Sequence, residues 1–98
     1  MTPRVLLEPD AEAEYREAVA WYAARSDRVG EAFRASVRTV LEAVESNPAR
    51  FPAALADIRK AKVPHFPYVV YFVPLADVTT VVAIIHGRRD PRRWQERR

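Results

Sequence analysis

Ninety-eight residues, 49% hydrophobic and 30% charged, are enough for one small folded core and too few for two. The absence of cysteine excludes disulfides and thiolate-bound metal, and the two histidines, His65 and His86, are too few for a histidine metal site and show no ligand spacing. The net charge of +3 is unevenly spread: residues 1–57 carry seven basic and ten acidic side chains, residues 58–98 nine basic and three acidic, which points to one face made for an anionic or acidic partner. The longest apolar run, residues 69–73, is far short of the roughly 20 residues a membrane-spanning helix needs. The start MTPRVLLEPD meets proline and acid before a signal-peptide core can form. One soluble cytoplasmic domain over residues 1–98 is expected, without membrane contact.

In chain order, Arg4-Val5-Leu6-Leu7 is short and apolar and reads as a first strand, stopped by Pro9 with Asp10 as the cap of the next helix. In AEAEYREAVAWYAAR, Tyr15, Ala18, Val19 and Tyr22 follow the i, i+3, i+4, i+7 spacing of one helical face. Glu12, Glu14 and Glu17 load its first half with negative charge, which suits the positive end of the helix dipole. The carboxylates are expected mainly on the solvent side. Ser26-Asp27 is a tight connection to a second helix with the stripe Val29, Phe33, Val37, Val40, Leu41 and Val44. Asn47-Pro48 ends it, since the residue before proline is pushed out of the helical region. So short a link predicts an antiparallel helical hairpin.

After a loop over residues 49–57, residues 58–63 read as a strand, and Pro64 and Pro67 bracket a turn around His65-Phe66. Residues 68–73 and 78–85 are β-branched and aromatic on both faces, which suits a central antiparallel pair joined through Pro74-Leu75-Ala76-Asp77. The order β-α-α-β-β-β, with a short C-terminal helical turn, predicts an α+β domain with the hairpin on one face of the sheet. The other face needs a cover, for which Trp94 is a candidate. Trp21, Tyr22, Tyr15 and Phe33, at helical spacing, are expected in the core.

Neither glycine, Gly30 or Gly87, belongs to a phosphate-binding loop, and no serine sits in a nucleophile-elbow context. No cofactor is expected. What remains is cationic: Arg59, Lys60 and Lys62 on one strand, and the ending HGRRDPRRWQERR with six arginines. Lys60 and Lys62 share a strand face, and with Arg88 or Arg89 are placed to line a basic groove able to hold phosphate. The alternative is solubilising charge on an edge strand and a terminus. His86, by alternation, shares a face with Val82 and Ile84, and is a buried, hydrogen-bonded histidine or a general acid–base.

The blocks DAEAEYREAVAWY, KVPHFPYVVYF and HGRRDPRRW, in this order, resemble the RelE/ParE superfamily of bacterial toxins over nearly the whole chain. The resemblance implies a toxin of a type II toxin–antitoxin module that forms a hetero-oligomeric complex with a cognate antitoxin. One branch of the superfamily cuts mRNA on the ribosome; the other, the ParE-like or plasmid-stabilisation branch, poisons DNA gyrase and arrests growth. Lys60, Lys62, Arg88 and Arg89 match positions used by the RNA-cutting branch. Val69 stands where that branch commonly has arginine, and no tyrosine follows in the C-terminal region. The HGRRDP ending looks more ParE-like, which implies a binder of gyrase without chemistry of its own. The alternatives are a ribosome-dependent endoribonuclease or a degenerate module that only binds its antitoxin. The residues expected to meet a target or antitoxin are Arg59, Lys60, Lys62, His86, Arg88, Arg89 and Trp94.

Overall fold

The computed structural model describes residues 4–89 and residue 95. The elements are β1 (Arg4–Leu7), α1 (Pro9–Arg25), α2 (Asp27–Ser46), a 3-10 turn (Pro48–Arg50), β2 (Ala53–Leu55), β3 (Ile58–Lys62), β4 (Tyr68–Pro74) and β5 (Val78–His86). They form the expected α+β layout: one five-stranded sheet in the order β1-β5-β4-β3-β2, with the two helices on one face. The expected C-terminal helical turn and the cover by Trp94 lie outside the described residues.

Pro9 occupies the first position of α1, where its missing N–H costs nothing, and Glu8 in extended conformation precedes it. Asp10 is therefore not the cap. It sits inside the first turn with Glu12, where negative charge meets the helix dipole. At the far end a single extended residue, Ser26, turns the chain from α1 into α2. Its N–H donates to the Tyr22 carbonyl at 3.0 Å, and its hydroxyl accepts from the Val29 N–H at 3.3 Å. One residue thus closes one helix and opens the next.

So abrupt a reversal presses the helices together. A Cβ on Gly30 would lie 2.9 Å from the Cβ and 3.0 Å from the Cα of Ala23, closer than side chains tolerate. From α2, Phe33, Val37, Val40 and Val44 are buried against the sheet, while Val29, at the start of the predicted stripe, is exposed. Ala11, Ala18 and Val19 do the same from α1. Tyr15 and Tyr22 pack at the margin of this core. Trp21 does not join them: at 52% exposure it stands at the edge of the stripe, a correction to the expected core role. Its indole is covered instead by Arg25, whose guanidinium lies 3.5 Å from the ring centroid.

β4 and β5 are the predicted inner pair, flanked by β3 and by β1, which runs parallel to β5 from Arg4↔Val78 to Leu7↔Val81. β2 was not predicted. It is three exposed residues turned back on β3 through Ala56, which holds a left-handed φ of 51° without being glycine or asparagine. The β4–β5 ladder is also irregular: Tyr71 faces Ala83 but Phe72 faces Val81, so Val82 is an extra, bulged residue. Val81 and Ile84 enter the core under the helices, whereas Val82, Ala83 and Ile85 join Ile58 and Val73 in a second cluster on the opposite face.

Gly30→Ala adds helix propensity of about 1 kcal/mol but forces the hairpin apart, and overpacking costs about 1–3 kcal/mol. A net destabilisation of about 1 kcal/mol or more is expected in urea unfolding, against the gain that an uncrowded helical glycine would show.

Candidate functional site

β1 leaves β5 early. Pro9 starts α1 directly after the Glu8 N–H has donated to the Val81 carbonyl at 2.9 Å, so beyond Val81 the edge of β5 has no neighbouring strand among the described residues. An N–H on such an edge needs another acceptor. For Ile84 it is the Glu14 carboxylate of α1, whose Oε1 accepts at 3.0 Å across 70 residues of sequence. Glu14 is half-buried, unlike its neighbours Glu12 and Glu17, and is the exception to the expected solvent-facing carboxylates. No local sequence signal separates it from them.

Between α1 and this free edge lies a cleft of about 800 Å³. Glu14, Glu17, Ala18, Trp21 and Tyr22 form its helical wall, Ile84 to His86 its strand wall, and Tyr68, Arg88 and Arg89 its end. Behind it, rings from three parts of the chain interlock. Tyr22 meets Phe33, Phe66 and Tyr68 with centroids 5.0–6.1 Å apart, and Phe33 meets Phe66 and Tyr68 at 5.1–5.2 Å. These edge and tilted contacts fix the cleft wall. Burial raises the Tyr68 hydroxyl above its usual pKa; Arg89 opposes that shift and Glu17 adds to it. Tyr22 is raised as well, by burial and then by the neighbouring Tyr68.

His86 is half-buried. Its Nδ1 accepts the Arg88 N–H at 3.1 Å, which leaves the imidazole N–H on Nε2, and its ring lies 5.5 Å from that of Tyr68. It shares the helix-facing side with Ile84, as expected, but not with Val82: the bulge reverses the alternation between them. After His86 the chain turns, with the Arg89 N–H donating to the His86 carbonyl at 2.9 Å and the Gly87 N–H to the Pro67 carbonyl at 2.7 Å.

The expected basic groove comes together only in part. Lys60 and Lys62 do share a face, but it is the face away from the helices, opposite Tyr71 and Val69 of β4. Lys62 and Arg88 line a second cavity of about 520 Å³, next to the left-handed turn at His65. Arg89 lines only the first cleft, and Lys60 neither. Arg59 points to the helix side and is structural: its guanidinium donates to the Phe51 carbonyl at 2.6 Å and holds the segment after α2. Trp94 lies outside the described residues. Among the described residues no three His, Cys, Asp or Glu side chains come together to hold a metal ion, and no helix is long and apolar enough to cross a membrane.

Comparison with known proteins fits this geometry. The family described as ParE toxin of type II toxin-antitoxin system, parDE, matches residues 5–91. No curated protein matches the chain. Among solved structures, one described as the chromosomal ParDE TA system from P. aeruginosa has a TM-score of 0.73 at 10% identity, covering 86% of this chain and 95% of that one. At that identity the likeness is one of fold.

Two outcomes are expected. Glu14→Ala strands the Ile84 N–H and costs about 1–3 kcal/mol in urea unfolding, with faster exchange of that amide; Glu14→Gln, which keeps an acceptor oxygen, recovers part of the loss. For the tyrosines, a folded-state pKa above the unfolded one means the native state holds the phenolic proton longer. Their contribution is complete below pH 10, the ordinary tyrosine pKa, and is lost as pH rises from there through the folded pKa values. Tyr22→Phe with Tyr68→Phe flattens that alkaline decline, and Arg89→Ala moves the Tyr68 titration further up, as read by phenolate absorbance.

Proposed function

The chain belongs to the ParE toxin family of type II toxin–antitoxin systems, and from that premise we propose that it is a growth-arresting cytoplasmic toxin that binds DNA gyrase, blocks replication and is neutralised by a cognate antitoxin in a hetero-oligomeric complex. It acts as a binder and carries out no chemistry of its own.

The division of the cations is the observation that carries the choice of gyrase over RNA. Cutting a phosphodiester takes an acid–base group and charge stabilisation converging on one phosphate, and losing one such group is typically worth ~10² or more in rate. Lys60 and Lys62 project from the sheet face away from the helices, Arg88 borders the cavity of Lys62, and Arg89 borders the opposite cleft. Val69, opposite Lys62 in the ladder, adds no charge where the RNA-cutting branch has arginine. A protein-binding toxin needs no such convergence. Exposed Trp21, Arg88 and Arg89 suit a protein interface, where Trp and Arg contribute most per residue.

The test is direct. Purified chain is expected to inhibit gyrase supercoiling or trap its cleaved-DNA complex, and its induction in cells to change plasmid topology while translated mRNA stays intact. Unchanged supercoiling at high toxin excess together with A-site cuts in mRNA would overturn the reading in favour of an endoribonuclease. Absence of any growth arrest without antitoxin would overturn it in favour of a module that only binds its antitoxin.

A further inference from the structure

The sheet ends at β1 on one side and at β2 on the other, and the two edges differ. A strand directs the N–H and C=O of one residue to one side and those of the next residue to the other. The Glu8 N–H is turned toward β5, where it donates to the Val81 carbonyl, and with a period of two so are the groups of Leu6. The N–H and C=O of Val5 and Leu7 therefore point out of the sheet, and no strand pairs with them among the described residues. Their side chains pack against the core under the helices, which leaves Leu6 on the opposite face at 57% exposure. β2 is blunted by a register shift between Ala53 and Leu55, a device that keeps an edge from pairing with other chains. β1 has no such irregularity, since its rungs from Arg4 to Leu7 are consecutive.

The order of residues along this edge selects what fits it. In antiparallel pairing, residues with outward groups oppose one another and exchange both bonds. The residues between them oppose without bonds, with Cα atoms about 4.5 Å apart. A two-fold axis at Leu6 sets Val5 against Leu7 of a second copy and Leu7 against its Val5, so every outward group of the strand is bonded. Moving the axis to Val5 sets Leu7 against Pro3, and moving it to Leu7 sets Val5 against Pro9; proline has no N–H to give. With the axis at Leu6, the two exposed leucines meet and cover each other. The same register sets residue 4, an arginine, against residue 8, a glutamate, so opposite rather than like charges fall on the outer rungs. We propose that β1 is a homodimer interface: two copies of the chain pair their β1 strands antiparallel about a two-fold axis at Leu6 and join their sheets into one. Both copies use the same patch, so the assembly closes at two. The proposal stands independently of the target and antitoxin named above.

The experiment uses the full chain alone, with sedimentation and amide exchange followed across protein concentration. The chain is expected to pass reversibly from monomer to dimer as concentration rises. The Val5 and Leu7 amides are expected to exchange at least about 10-fold more slowly where the dimer prevails, as newly bonded edge amides do. Leu6→Lys sets two like charges together and is expected to weaken the dimer by about 10-fold or more, whereas Leu75→Lys, at an equally exposed site in the β4–β5 turn, leaves it within about twofold. Both sites are exposed, and unchanged urea midpoints confirm that the variants fold. The chain has no cysteine, so the thiol of Leu6→Cys has only its own copy to pair with. At a Cα separation of about 4.5 Å it lies within disulfide reach, and it is expected to cross-link at least about 10-fold faster than Leu75→Cys. Monomer at every concentration overturns the proposal. So does a dimer whose Val5 and Leu7 amides exchange as in the monomer, or in which Leu6→Cys cross-links no faster than Leu75→Cys, because the copies then meet through another face.

Discussion

β5 is the strand on which the rest of the molecule depends, and the decisive constraint is that, among the described residues, it is paired on both sides for only part of its length. β4 accompanies it from Thr79 to His86, but β1 has four residues and stops at Leu7, because Pro9 commits the chain to a helix. A longer β1 would seal the edge and abolish the cleft. A shorter one would leave the parallel pairing too small to hold the N-terminus. Glu14 marks the boundary: a carboxylate reaching from α1 to an amide that would otherwise be buried without a partner. The helix that follows β1 thus completes the work β1 leaves undone.

The bulge at Val82 serves both faces of the sheet at once. Without it, strict alternation would send Ile84 to the face away from the helices and Ile85 beneath them. The extra residue shifts the phase, so Ile84 fills the aromatic-lined core and Ile85 the second cluster, and His86 arrives beside Tyr68 on the cleft side. Past the bulge the cations divide: Arg89 borders the cleft and Lys60 lies on the other face, while Arg88 and Lys62 meet at the second cavity.

Much of this was legible in the sequence. The 3.6 period of Phe33, Val37, Val40 and Val44, the proline brackets at 64 and 67, and the two β-branched runs identify both helices and the inner strands, because each pattern is a direct image of burial. What was missed had no such image. β2 is three exposed residues joined to β3 through a left-handed alanine, so neither periodicity nor a glycine turn announces it. The bulge hides inside the run VVAII of β5, where every residue is apolar and a phase shift changes nothing in the pattern. Trp21 was misplaced because tryptophan at a stripe margin reads as core, and here the neighbouring arginine does the covering. The candidate site fared similarly. The basic end of β5 was visible as composition, but its grouping with α1 rests on a bond spanning 70 residues.

The parallel pairing of β1 with β5 has a consequence in time. Arg4 must find Val78, 74 residues later in the chain. At synthesis rates of about 5–20 residues per second, roughly 4–15 s separate the two on the ribosome. The helical hairpin, whose contacts are local, is free to form during that interval, but the sheet cannot close until nearly the last strand has been made. The cleft at the end of β5 is therefore among the last features to exist. A nascent chain that still lacks β5 has the helical hairpin but not the cleft.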